Sequence, residues 1–423
     1  MFGDLRRSLS VHKRAMVPRA YISSSDIEDN ADLLRSSLGR DTASPTWKLS
    51  LPHVLVATIV PFLFGYHIGV VNEPLETISV DLGFHGNTLQ EGFVVSTCLA
   101  GAFVGCLFSG WIADEVGRRR AFQLCALPMV MGAAICATAK NLTGMLLGRF
   151  LVGTGLGVGP PVASLYVTEQ GRNVEAEAVL EKLLGGSEAK ATILELSNTG
   201  RGGEANTIKL IELLCGRHSR VVFIGSTLFA LQQLSGINAV FCFSSTVFRR
   251  AGVFSDLANI SVGIANFIGS TIALALMDKL GRKALLLCSF FGMAVCTVLQ
   301  VLATALSASN PTAFYLSVGG MLLFVLMYAV GAGPVPGLLL PEIFPSRIRA
   351  KAMAVSMAVH WVLNFFVGLL FLHLLDVMGP GLLYSTFGAF CLLAVVFVKR
   401  NVLETKGKSL QEIEIALLPQ SPF

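Results

Sequence analysis

The chain has 423 residues, of which 53% are hydrophobic and only 14% charged, with a formal net charge of +5. A soluble protein of this length could not hide that much apolar surface, so the composition excludes a soluble globular class and indicates a polytopic membrane protein. No nucleic-acid partner and no cofactor are expected.

Residues 1–50 carry Arg6, Arg7, Lys13, Arg14, Arg19, Arg35 and Arg40 among many serines and lack an apolar core, which excludes a secretory signal peptide. An Arg- and Ser-rich leader suits an organelle transit peptide, whereas the acidic stretch Asp26-Ile-Glu28-Asp29 does not. An imported leader and a disordered tail both stay open at this point.

Ten apolar runs come next, near 51–71, 89–112, 121–139, 142–168, 220–246, 257–277, 284–305, 314–340, 352–376 and 380–399. Each is close to the roughly 20 residues that carry a helix across about 30 Å of hydrocarbon. Their Gly and Ala content and their lack of strand alternation predict helices rather than a barrel. Arg118 to Arg120, Arg172, Arg217, Arg282, Lys283, Arg347, Arg349, Lys351, Lys399 and Arg400 fall in loops of one parity, against Lys140, Arg249 and Arg250 in the other. Positive loops stay inside, so both termini and the polar segment 169–219 are placed on the inner face.

A short motif occurs twice, as Asp114-Glu-Val-Gly117-Arg118-Arg119 and as Asp278-Lys-Leu-Gly281-Arg282-Lys283, each between two apolar runs. Two related halves are the simplest cause. Four runs come after the second copy and only two after the first before the chain turns polar, so the first half is expected to be two helices short. The organisation predicted is a tail over 1–50, a four-helix bundle over 51–169, an inner-face linker over 170–219, a six-helix bundle over 220–400 and a tail over 401–423. Within the linker, Val174, Ala176, Ala178, Val179, Leu183 and Leu184 give a short amphipathic helix pattern before Gly185-Gly186.

Polar side chains inside membrane spans are expensive and so mark candidate sites. The densest set is Gln232-Gln233-Leu-Ser235-Gly236-Ile-Asn238, whose three carboxamides offer paired donors and acceptors of the kind that vicinal sugar hydroxyls require. Interhelical hydrogen bonding is the alternative. Asn266, His360, Trp361 and Asn364 add polar and aromatic surface in later spans. The run Gly331-Ala-Gly333-Pro334-Val-Pro336-Gly337 breaks the span 314–340 and reads as a hinge or as a static kink. The run Gly153-Thr-Gly155-Leu-Gly157-Val-Gly159 lies behind no strand, so close helix packing is expected there rather than a phosphate cradle.

His67, in the first span, is a candidate proton relay or a neutral hydrogen-bonding partner for substrate. Asp114 with Arg118 and Arg119, Asp278 with Arg282 and Lys283, and Glu342 with Arg347 and Arg349 sit at inner helix ends, where ion pairs could latch the two halves together. The nine cysteines are scattered and show no C-x-x-C spacing, which predicts buried free thiols.

Taken together, the two D-x-x-G-R-[RK] copies, Gly148-Arg149-Phe150, Tyr166-Val-x-Glu169, Gln232-Gln233-Leu-Ser-Gly-Ile-Asn238, Gly333-Pro334-Val-Pro336, Pro341-Glu342-Ile-Phe-Pro345 with Arg349, and Glu404-Thr405-Lys406-Gly407 resemble the sugar porter family of the major facilitator superfamily. Within it, Gly65-Tyr66-His67, Leu339-Leu340-Pro341-Glu342-Ile343, Arg347-Ile-Arg349-Ala350-Lys351 and Lys408-Ser-Leu-Gln-Glu-Ile-Glu414 are most similar to the plant plastidic glucose transporter group.

The resemblance implies an all-α membrane protein of two six-helix bundles, with about ten helices here (four plus six), working by alternating access on a monosaccharide. It further implies that Gln232, Gln233 and Asn238 bind sugar hydroxyls, joined by Asn266, Trp361, His360 and His67. Asp114, Arg118, Arg119, Glu169, Asp278, Arg282, Glu342, Arg347 and Arg349 are implied as gating charges, and Gly333, Pro334 and Pro336 as the hinge. The usual carboxylate is replaced by His67, which leaves proton coupling open and favours facilitative transport. The implied membrane is the plastid inner envelope, or else another endomembrane or the plasma membrane. The residues after Glu169 resemble the family's segment beyond its sixth helix, placing a gap of about 70 residues there, two spans of about 20 plus loops.

Overall fold

A computed structural model describes residues 47–159, 218–250, 255–306, 311–345 and 348–408, together with 162, 216, 412 and 413. The tail before Trp47, the proposed linker helix, Glu169 and Arg347 lie outside the described residues, as do the side chains of Asp114 and Arg118. From Pro52 onward the chain forms one compact unit.

Among the described residues the elements are all helical. The first half supplies α1 (Trp47–Asn72), a short α2 (Leu75–Asp81), α3 (Thr88–Val116), α4 (Arg118–Thr138) and α5 (Leu142–Gly159). The second half supplies α6 (Ser219–Leu234), α7 (Ile237–Arg250), α8 (Ser255–Leu280), α9 (Arg282–Ala305), α10 (Pro311–Met327), α11 (Pro334–Ile343) and α12 (Arg349–Asn401).

Among the described residues eight helical stretches are long and apolar enough to cross a membrane. α1 covers the first run expected from the sequence, and the 53-residue α12 holds two. At 1.5 Å per residue α12 is roughly 80 Å of helix, far more than one crossing needs. Gly379, at φ 77°, turns it back on itself just before Pro380. α2 was not anticipated. It starts directly after Pro74, a residue that cannot continue α1 but suits a helix start, and it buries Leu75 and Ser79.

The two copies of the repeated motif form the same turn. Gly117 (φ 86°) separates α3 from α4, and Gly281 (φ 87°) separates α8 from α9. Only glycine adopts this backbone without strain, so the motif encodes a sharp reversal between consecutive spans.

The glycine run of α5 packs backbone against backbone. A Cβ on Gly153 would strike the Cys98 carbonyl oxygen and one on Gly157 the Ala102 carbonyl oxygen, while Gly101 and Gly105 of α3 sit equally close to the carbonyl oxygens of Phe150 and Thr154. The expected close helix packing is what this run does. The halves meet chiefly where α3 lies along α12, with Leu99, Ala102 and Cys106 against Trp361.

Candidate functional site

α6 and α7 are one span broken at Gly236, whose φ of 85° permits the turn and whose missing Cβ leaves room for the Phe387 ring. The break lets Gln232 and Gln233 at the end of α6 face Asn238 at the start of α7. Asn238 Nδ2 donates to Gln233 Oε1. Gln233 Nε2 donates to Gln232 Oε1 at 3.3 Å and contacts His360 Nδ1 at 2.9 Å. An amide nitrogen can only donate, so Nδ1 accepts and Nε2 carries the proton of a neutral ring. Both glutamines are buried.

Gln232 Nε2 in turn donates to the Ala332 carbonyl at 2.6 Å, with longer contacts to the Gly333 carbonyl (3.3 Å) and the Tyr328 hydroxyl (3.4 Å). The reason lies in the broken span. Pro336 has no N–H, so the carbonyl four residues earlier, that of Ala332, has no helical donor. Between α10 and α11 the backbone widens into a π turn over Tyr328–Ala332, steadied by Ser289, whose hydroxyl donates to Met327 O (2.6 Å) and accepts from Ala332 N (2.8 Å). The predicted hinge and the carboxamide cluster are therefore one hydrogen-bonded assembly.

Aromatic rings wall it. His360 stands edge-on to Trp361 (5.0 Å between centroids) and to Phe229 (5.2 Å), and Trp361 meets Phe64 of α1 at 5.6 Å. Among the described residues Oδ1 of Asn364 is buried without a hydrogen-bond partner, and the indole Nε1 of Trp361 has only the weakly accepting Cys106 thiol beside it. Unmet or weakly met polar atoms beside a satisfied amide chain are spare capacity for a polar ligand.

Gln232, Gln233, Asn238, His360 and Trp361 are thus brought together. Asn266 is not with them: it lines a separate cavity of about 390 Å³ near the outer end, with Asn72, Glu73, Phe241, Ser244 and Asn259. His67 also stands apart. Its ring lies edge-on to Tyr66 at 5.3 Å, and its backbone carbonyl accepts from Arg149 Nη1 at 3.2 Å. Buried Arg149, which also donates to the Val94 carbonyl at 3.2 Å, was legible only as part of a family motif.

At the span ends expected to lie on the inner face, Arg282 pairs with Glu342 at 3.1 Å and, more loosely, with exposed Asp278 at 3.5 Å. Thr405 Oγ1 donates to Glu342 Oε2 at 2.6 Å, and Arg349 Nε donates to the Phe344 carbonyl at 3.2 Å. All of these residues belong to the second half. The network ties the inner ends of α8, α9 and α11 to one another, because the motif's nearest neighbours are those of its own bundle.

Glu404 was missed as a site residue. Its carboxylate accepts from the backbone N–H groups of Arg282 (3.0 Å), Lys283 (3.0 Å), Thr405 (3.0 Å) and Lys406 (3.1 Å), which caps the start of α9. Burial pulls this carboxyl upward, but the four N–H bonds outweigh it and hold it below the usual carboxylate range.

The family described as "Sugar (and other) transporter" matches residues 53–170 and 165–417. The chain belongs to the sugar transporter family. Two curated relatives from Arabidopsis thaliana are named Probable plastidic glucose transporter 2, 56% identical over 99% of this chain and 99% of the relative, and Probable plastidic glucose transporter 3, 54% identical over 98% and 97%. The sugar porter therefore groups with the plastidic glucose transporters. The inward-open xylose transporter XylE of E. coli aligns with a TM-score of 0.68 at 24% identity, covering 88% of this chain and all of that one, which shows that the two share a fold. Membership makes the chain a multi-pass sugar transporter and not an enzyme. The alignment with the first relative spans 491 positions against 423 residues here, so at least 68 positions hold no residue of this chain. The two family matches meet at residues 165–170.

Proposed function

We propose that the transported solute is a monosaccharide, glucose by analogy with the names of the plastidic relatives, bound at Gln232, Gln233, Asn238, His360 and Trp361 and moved down its gradient in a plastid envelope. The observation that carries this is the bond from Gln232 to the Ala332 carbonyl. A sugar hydroxyl that takes the Gln232 amide removes the donor that satisfies the kinked span, so occupancy and hinge geometry become linked. Asn364 Oδ1 and the weakly engaged Trp361 N–H supply further contacts, and the indole offers a face for the apolar side of a pyranose.

Facilitative transport is favoured by the first span, where His67 stands in place of a carboxylate and Arg149 already engages its carbonyl. In proteoliposomes, labelled glucose should equilibrate without accumulating under an imposed pH gradient. Accumulation that collapses with a protonophore and is lost in His67→Asn would establish proton symport instead.

A second reading is supported by the alignment length and by the junction of the family matches: this chain is a shortened form lacking two spans after Glu169. On that reading the first half cannot enclose the pathway, and polar groups left facing lipid cost several kcal/mol each. Sequencing transcripts across the codons for Glu169 and Gln170, alongside uptake by this chain, separates the two. Full uptake by the chain as it stands would refute the reading that the shortened form does not transport.

A further inference from the structure

Among the described residues the inner-end ion pairs lie within one half, whereas the opposite end carries a polar cluster that joins the two. α1 runs from the inner to the outer face, so Asn72 and Glu73 emerge outside, beside the end of α7 and the beginning of α8. Glu73 Oε2 accepts from Ser245 Oγ of α7 at 2.7 Å and from Asn259 Nδ2 of α8 at 2.6 Å. Asn259 Nδ2 also reaches Ser245 Oγ at 2.5 Å. Alongside, Asn72 Nδ2 donates to Ser244 Oγ (2.7 Å), Ser244 Oγ donates to Asn259 Oδ1 (2.7 Å), and the Ser245 N–H reaches Asn72 Oδ1 at 3.4 Å.

We propose that Glu73 is the clasp of the outer gate: a positioning residue whose single carboxylate oxygen holds α7 and α8 against the end of α1 and keeps the pathway shut to the outside. This rests on the alternating-access reading above. The physical basis is that hydrogen bonds to a charged acceptor are about twice as strong as neutral ones. Here two of them converge on one oxygen from two helices of the opposite half. The acceptor sits in the turn directly after α1, so neither donor can leave while the other holds without distorting the cluster. Outward opening therefore breaks both together, which makes the gate two-state rather than gradual.

What the clasp seals is visible one turn further in. Cys242 of α7 is buried and shares a void of about 10 Å³ with Phe64, Ile68, Cys98 and Arg149. Outside the seal lies the 390 Å³ cavity with Asn72, Glu73, Ser244 and Asn259 on its wall. Parting α1 from α7 would join the two spaces and expose the Cys242 thiol.

The test is modification of Cys242 by a membrane-impermeant maleimide in reconstituted vesicles, quantified at the Cys242 peptide by mass spectrometry. Glu73→Ala should raise the rate about tenfold, the shift expected when hydrogen bonds to a charged group are lost. Glu73→Gln retains an acceptor oxygen without the charge and should fall between. Asn259→Ala removes one of the two donors and should raise the rate less than Glu73→Ala, and the double variant should add little to Glu73→Ala alone, because that variant has already lost the Asn259 contact. An unchanged Cys242 rate in Glu73→Ala, or full additivity with Asn259→Ala, overturns the clasp. If Glu73→Ala does not accumulate, the isosteric Glu73→Gln decides alone, and a wild-type rate refutes the proposal. The readout needs no flux, so a chain that labels as expected but moves no sugar would overturn the transport reading and leave the clasp intact.

Discussion

Replacing Gln232 tests whether the carboxamide cluster and the broken span act as one device. In Gln232→Ala the Ala332 carbonyl loses its 2.6 Å donor, and the missing N–H of Pro336 means that no helical donor replaces it. An unsatisfied buried acceptor costs about 1–3 kcal/mol. A truncated buried side chain adds a cavity term of the same sign. The decisive measurement is a double-mutant cycle with Pro336→Ala, read by thermal unfolding in detergent. Alanine at 336 restores an N–H to the Ala332 carbonyl, so Gln232→Ala should cost less in that background, with a coupling of about 1 kcal/mol or more. Purely additive destabilisation would refute the link between Gln232 and the hinge. Uptake measured on the same four proteins should show Gln232→Ala lowering the maximal rate with little change in the sugar concentration needed for half-maximal transport.

The repeated turn gives a paired prediction. Gly281→Ala should destabilise the protein more than Gly117→Ala: both residues hold a φ near 86–87°, but a Cβ on Gly281 would also lie 2.6 Å from the Glu404 carboxyl, whereas Gly117 faces open space. Equal losses in melting temperature would show that the backbone strain, of order 1–3 kcal/mol, accounts for everything. Glu404 gives a pH prediction. Its carboxyl is held low when folded, so the stabilisation it lends is present above the ordinary carboxylate range and fades as pH falls through its lowered value. Glu404→Gln should flatten that acid limb of the stability curve, and an unaltered limb would remove Glu404 as its source.

The sequence announces what is local. Apolar runs of membrane length became helices, and Gly117 and Gly281 turn where the motif repeats. The run from Gly331 to Gly337 opens the π turn at Tyr328–Ala332. The adjacency of Gln232, Gln233 and Asn238 was legible because the residues lie within seven positions, with Gly236 supplying the turn that aligns them. What escaped reading was long-range. Asn266 has the same chemistry as Asn238 and lies in the next span, yet it faces the outer cavity instead of the amide chain, and nothing in residue type distinguishes the two. Glu73 and Asn259 are ordinary polar residues at span ends, and only packing brings them together across 186 positions. Glu404 read as part of a tail motif. Its role depends on the start of α9, more than a hundred residues earlier, meeting it at the inner face.

These placements also bear on how a sugar could drive the cycle. With the outer cluster closed, the amides of Gln232 and Gln233 are buried and committed to each other, to His360 and to the Ala332 carbonyl. A hydroxyl that binds them does not find free donors; it exchanges one acceptor for another, so the net gain from each amide is small and falls within about 0.5–1.5 kcal/mol. The groups that gain most are Asn364 Oδ1, which has no partner among the described residues, and Trp361 Nε1, which has only the weak Cys106 thiol, both on α12. Affinity then rests on α12, while the exchanged Gln232 amide reports occupancy to the kink. A substrate lacking a hydroxyl at the Gln232 position should therefore bind almost as well yet leave the kink bonded, and it should be carried more slowly for its affinity. Deoxy sugars scanned one position at a time, with binding and uptake measured separately, would reveal that division as one position that lowers maximal rate without weakening binding; if every deoxy sugar loses binding and rate in parallel, Gln232 is a contact and not a relay.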